Sequence, residues 1–158
     1  MKAAGFTATA DLVGRRIRLG WAFLPEPGET VLDPPAVTVR RKQRDFAFLP
    51  GDLVYDSEAF PPPPVPGALL VNDLADRDRP DGDRRVREQT ITVAEVIDGR
   101  PREVIRRTVR TVFGADRALL RQEVELLDVG GVGTVLDPGV PYYYQLDSGG
   151  ADADRLRV

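Results

Sequence analysis

From Arg16 the chain reads RIRLGWAF, with Ile17, Leu19, Trp21 and Phe23 at alternate positions and Arg16, Arg18, Gly20 and Ala22 between them. A period of two is that of a half-buried strand. Residues 24–35 (LPEPGETVLDPP) follow as a Pro/Gly loop with little room for regular structure. The alternation returns in AVTVRRKQRDF, where Val37 and Val39 point one way and Thr38 and Arg40 the other. FLPGD turns the chain, and residues 53–57 (LVYDS) read as a short strand.

The middle has another texture. Residues 60–67 (FPPPPVPG) are restricted to extended polyproline or turn. Residues 72–85 (NDLADRDRPDGDRR) mix acid and base without an apolar period and read as a loop. The strand pattern then resumes. VREQTITVAEVI places Ile91, Val93 and Ile97 on one face, and Asp98-Gly99 is a hairpin turn. REVIRRTVRTVF returns with Ile105, Val109 and Phe113 on one face, and GADR turns again. ALLRQEVELLDV places Leu120, Val124 and Leu126 inward and Arg121, Glu123 and Glu125 outward. Residues 118–128 also fit a helix through Leu119, Leu120, Val124 and Leu127. A strand is preferred there because the neighbours are strands and 103–113 needs a partner. Short strands punctuated by turns predict an all-β antiparallel sandwich.

Composition changes the functional picture mainly by what is missing. The chain has 158 residues, 42% of them hydrophobic, which suits one domain with a real core. It has no cysteine and no histidine. Disulfides, thiol nucleophiles, the Ser-His-Asp triad and most zinc sites are thereby excluded. No catalytic, cofactor-binding or metal-binding residue is expected, and no small-molecule substrate. A net charge of −3 gives no reason to expect nucleic acid or insertion into a membrane. The start, MKAAGFTATADLVGRRIRLGW, does not read as a signal peptide, and no stretch has the length of a membrane span. A cytoplasmic protein is expected.

Few residues remain as candidates for function. Three of the four tyrosines lie together in YYY at 142–144, and alternation sends Tyr143 outward as an interface contact. A basic run, Arg100, Arg102, Arg106, Arg107 and Arg110, lies on the hairpin around Asp98-Gly99. Arg106, Arg107 and Arg110 are its candidates for gripping an acidic protein partner. No aromatic residue interleaves the run, as a single-strand nucleic-acid surface would need. The aspartates of 73–83 miss the calcium-loop pattern, with Pro80, Asp81 and Arg87 where an acid, a glycine and a glutamate belong. Residues 61–66 read as a stiff spacer, and the glycines of 128–134 lack the order of a phosphate loop. Glu123 and Glu125 could serve as a carboxylate pair, but on an exposed strand face without a cleft.

LDPGVPY, residues 136–142, resembles the tyrosine corner of fibronectin type III domains. The resemblance implies that Leu136 plugs the core, Pro138-Gly139 turns the chain between sheets, and Tyr142 bonds its hydroxyl back to the turn. Tyr144 would follow inward two places on. IRLGWAFLPEP resembles strand B of the same family with Trp21 in the core, AVTVRRKQRD strand C, and LVYDS strand C′. The likeness covers 5–58 and 118–147. It makes 1–158 a single fibronectin type III-like domain with an insertion at 59–117, a Pro-rich loop, an acidic loop and a long β-hairpin. Only RLRV remains for strand G, so either the natural chain continues past 158 or strand F leaves an edge for a neighbour to cover. The chain also resembles small β components of phage tails and contractile injection systems. That implies a non-catalytic structural or adaptor subunit of a multiprotein assembly. It would act by protein–protein contacts and β-edge pairing, with the last segment or the 86–113 hairpin donated to a neighbour. The other reading is a carbohydrate- or cell-surface-binding module, which requires Trp21, Tyr55 and Phe60 to be exposed together.

Overall fold

A computed structural model describes residues 2–27, 35–59, 69–116, 119–130, 135–148 and 154–158. Phe60, the proline tract and most of the 128–134 glycines lie outside them. Ten strands run in order: β1 (Lys2–Asp11), β2 (Arg16–Leu24), β3 (Thr38–Gln43), β4 (Leu53–Asp56), β5 (Leu69–Asp81), β6 (Arg84–Ile97), β7 (Arg100–Phe113), β8 (Leu119–Asp128), β9 (Tyr142–Asp147) and β10 (Asp154–Arg157). A 3-10 turn, Pro50–Asp52, precedes β4. Every pairing is antiparallel. One sheet has the order β1-β2-β8-β7-β6-β5 and the other β10-β9-β3-β4. The two share one core and face each other as a β-sandwich.

Period two explains where the core sits. Ile17, Leu19, Trp21 and Phe23 of β2 are all buried, as are Val124 and Leu126 of β8, in register opposite Trp21 and Leu19. From the facing sheet come Val39, Tyr55, Tyr142, Tyr144 and Leu146, with Val37 just before β3. Each such side chain contributes about 1.5–3 kcal/mol by leaving water. Residues 119–128 form the strand β8 rather than a helix, because both its edges are bonded, to β2 and to β7.

Four expectations are corrected. First, residues 72–85 are strand rather than loop: β5 continues to Asp81 and turns through Gly82, at φ +64, into β6. The missing apolar period is replaced by cross-strand charge pairs, Asp76 with Arg87 at 2.9 Å and Asp78 with Arg85 at 2.7 Å. The Asp76 carboxyl is held below its ordinary range, chiefly by the hydrogen bond from Arg87.

Second, Leu120 is 38% exposed. The β7–β8 register jumps between Val112, opposite Arg121, and Phe113, opposite Leu119, which leaves Leu120 as the extra residue of a bulge.

Third, the edge of β9 is not open. β10 pairs with it from Asp154 to Arg157, and Val158 and Tyr142 exchange backbone hydrogen bonds at 2.8 and 2.9 Å. Fourth, the 86–113 hairpin offers no free edge. β6 is bonded on both sides, by β5 and β7, and β7 by β6 and β8. The hairpin also sends Val93, Val104 and Ile105 into the core.

β1 had no strand reading in the sequence. Its alternation of Phe6, Ala8 and Ala10 with Thr7, Thr9 and Asp11 rests on small alanines. It is interrupted by a register shift between Ala4 and Thr7, where Gly5 takes φ +67.

The 136–142 turn is fixed at three points. Leu136 is buried, Gly139 takes φ +80, and the Tyr142 hydroxyl accepts the Asp137 backbone N–H at 2.8 Å. Tyr142→Phe keeps the ring and removes the acceptor, so it should lower unfolding free energy by about 1 kcal/mol in urea denaturation. No change would mean that the bond contributes nothing to the turn.

Candidate protein-interaction surfaces

The four residues singled out for contact do not share one surface. Tyr143 lies on the outer face of the four-stranded sheet, between the inward Tyr142 and Tyr144. Arg106 and Arg110 lie on the outer face of the six-stranded sheet, and both are engaged. Arg106 meets Glu103 at 2.7 Å; Arg110 meets Glu88 at 3.0 Å and Glu123 at 3.4 Å. Arg107 points the other way, between the sheets, where it donates to the Tyr55 hydroxyl at 3.1 Å. Alternation along β7 forces this split, since 107 has the parity of Ile105 and Val109. Glu123 and Glu125 lie two apart on the outer face of β8. Arg110 and Arg121 approach Glu123, and Arg18 approaches Glu125 at 3.3 Å. No group of three or more metal-ligating side chains occurs among the described residues.

Around Tyr143 the structure assembles a surface that sequence reasoning missed. The 44–49 turn is shaped by short-range bonds: Asp45 Oδ1 accepts the Ala47 N–H at 3.0 Å, Lys42 Nζ donates to the Ala47 carbonyl at 2.8 Å, and Asp52 Oδ2 accepts the Leu49 N–H at 2.7 Å. The Ala47 N–H, then Lys42, lower the Asp45 carboxyl below its ordinary value. Arg44 takes φ 88 to make the bend, a left-handed conformation disfavoured for a bulky residue. The result sets Phe46 edge-on to Tyr143, 4.8 Å between centroids, with Phe48 beside it at 6.3 Å. β10 adds Arg155 over the Phe46 ring at 5.7 Å and Arg157 over the Tyr143 ring at 5.8 Å. The visible signal was DFAF, where the end of the AVTVRRKQRDF strand reading meets the FLPGD turn, and alternate arginines in DRLR.

At one end of the sandwich, Leu136, Pro138, Val140 and Tyr142 of the corner line a cleft of about 310 Å³ with Ile17 of β2. Trp21 and Tyr55 are both buried and pack at 5.8 Å across the sheets.

A second polar group joins the sheets from inside. Asp128, 2% exposed at the end of β8, accepts from the Arg41 guanidinium of β3 and from the Tyr144 hydroxyl of β9 at 2.7 Å. It also accepts the Gly130 N–H at 3.0 Å. Arg41 and Tyr144 stand directly opposite each other in the β3–β9 ladder. Burial works against the Arg41 charge, but the Asp128 carboxylate outweighs it and lifts the guanidinium above its usual value. Burial first, then Asp128, push the Tyr144 hydroxyl far above the ordinary tyrosine range. Burial also raises Tyr55.

No protein-family model, curated protein or solved structure matches this chain at a significant level.

The tyrosine shifts have a definite sign. A group whose folded pKa exceeds its unfolded value contributes stability below the unfolded pKa, near 10 for tyrosine, and loses it as pH rises toward the folded one. Urea midpoints should therefore fall steadily between about pH 9 and pH 11, and Tyr144→Phe should flatten much of that fall. A midpoint independent of pH over this range in the wild type would contradict the burial of a neutral Tyr144.

Proposed function

We propose that the chain is a non-catalytic adaptor domain of the fibronectin type III kind, which joins a multiprotein assembly by β-edge pairing through β5. The fold part of this reading is supported by strand order. In immunoglobulin-like lettering β1-β2-β8-β7 runs A-B-E-D and β10-β9-β3-β4 runs G-F-C-C′, with β5 and β6 as additions beyond D. The Tyr142 bond to the turn before strand F supports it further. The assembly class, a phage tail-like or contractile injection particle, rests on the sequence resemblance.

The observation that carries the functional reading is β5 itself. It is a 13-residue strand at the end of its sheet, bonded among the described residues along one side only, to β6. Residues 74–81 are exposed throughout, including Leu74 at 63%. An unpaired edge is a template for a strand of another chain. Asp76, Arg77, Asp78, Arg79 and Pro80 guard its distal half, so that charge and a missing N–H limit which strands can add and where. The carbohydrate reading lacks its surface, because Trp21 and Tyr55 are buried.

Leu74→Lys should leave the fold intact, within about 0.5 kcal/mol in urea, and strip the chain from its purified particle on size exclusion. A Leu74→Lys chain that co-elutes at the wild-type ratio would contradict edge pairing, as would a wild-type chain found alone in every preparation.

A further inference from the structure

The outer face of the β10-β9-β3-β4 sheet is chemically unlike the rest of the molecule. It carries Arg40 and Lys42 from β3 and Arg155 and Arg157 from β10, the two strands that flank β9, on a chain of net charge −3. Arg40 is taken up by Asp147 at 2.9 Å and Lys42 by Asp45 at 3.2 Å. Arg155 Nε donates to the Gln145 side-chain Oε1 at 3.0 Å, and neither it nor Arg157 meets a carboxylate among the described residues. Both guanidinium groups lie over aromatic rings. Beside them is a groove of about 460 Å³, lined by Phe46, Phe48, Leu49 and Pro50 together with Arg40 and Arg155. Leu49 is 63% exposed.

We propose that this face docks an acidic segment of a partner protein. Its carboxylates would meet Arg155 and Arg157, and one of its apolar side chains would enter the Phe48–Leu49 groove. Aromatic rings and arginine held together are the composition of protein-interface centres. A guanidinium fixed over a ring keeps its donors free for a planar carboxylate. Nucleic acid fits less well. Phe46 and Tyr143 pack edge to face at 89°, both half-buried, and do not stand as open platforms for bases. Two of the four cations are already neutralised, and the chain as a whole repels a polyanion. The surface is separate from the β5 edge, on the other sheet, so an adaptor built this way holds two partners at once. Its test does not depend on edge pairing.

The probe is a fluorescein-labelled dodecapeptide of alternating Glu and Leu, followed by fluorescence anisotropy on the full chain. Arg155→Glu with Arg157→Glu should weaken binding by about tenfold or more and turn the preference toward the Lys-Leu counterpart. Leu49→Ser should weaken it without changing the salt dependence. The fold is checked by circular dichroism, and should the charge-reversed chain unfold, Arg155→Gln with Arg157→Gln gives the same readout. Failure of the wild-type chain to bind the acidic peptide, or equal affinity in the double variant, would overturn the proposal. So would a labelled dodecathymidylate that binds more tightly with the same arginine dependence, which would make the face a nucleic-acid surface. A loss of edge pairing in Leu74→Lys leaves this binding unchanged.

Discussion

Asp128 has its carboxylate inside the sandwich, and the two sheets are arranged so that it can remain there. A buried carboxylate is tolerated only when paired and hydrogen-bonded. Asp128 has both, from the opposite sheet: the Arg41 charge, the Tyr144 hydroxyl and, from its own end of the strand, the Gly130 N–H. Those contacts need β3 and β9 in one register, with Arg41 against Tyr144, and β8 at one height across the core. Slipping β9 by one residue would turn Tyr144 to solvent and Tyr143 to the carboxylate. The ion pair thus ties the register of β3 and β9 to the position of β8, while an apolar replacement of like volume could match it in stability.

Fixing the inward set fixes the outward set. With Val39 and Arg41 pointing in, Arg40 and Lys42 must point out. With Tyr142 and Tyr144 in, Tyr143 must be out, and β10 follows with Arg155 and Arg157 opposite Gln145 and Tyr143. The basic aromatic face is thus the reverse side of the same registers that bury Asp128. On the other sheet, β5 and β6 extend β7 outward. The added strands keep an acidic and basic pattern at the end of a wide sheet, where cross-strand ion pairs take over the alignment that apolar contacts provide in the core.

How much of this could be read beforehand follows from which force set each element. Where burial set it, alternation was legible: Ile17, Leu19, Trp21 and Phe23, and the inward pair Val124 and Leu126, lie where period two puts them. The Leu136–Tyr142 turn was legible because Pro, Gly and Tyr have separate, position-specific physical roles there. β5 was not legible, since charge pairs between strands leave no apolar period within either one. Leu120 was misplaced by a bulge, which shifts parity without a marker in composition. β10 is four residues long and is held mainly by its ladder to β9. Among the site residues, Tyr143 lies on the outer face, and Phe46, Arg155 and Arg157 meet it only through the fold. Arg107 was grouped with Arg106 and Arg110 by proximity in sequence, although neighbours on a strand face opposite ways.

The dependence of both sheets on one internal ion pair can be measured with a double-mutant cycle between Arg41→Met and Asp128→Asn in urea denaturation. Each single change leaves a buried polar group without its partner, so each should cost about 3 kcal/mol or more, and the double variant far less than their sum. A coupling of about 2 kcal/mol or more is the predicted result. Additive losses, with coupling near zero, would show that the sheets align without the pair and would contradict its central place.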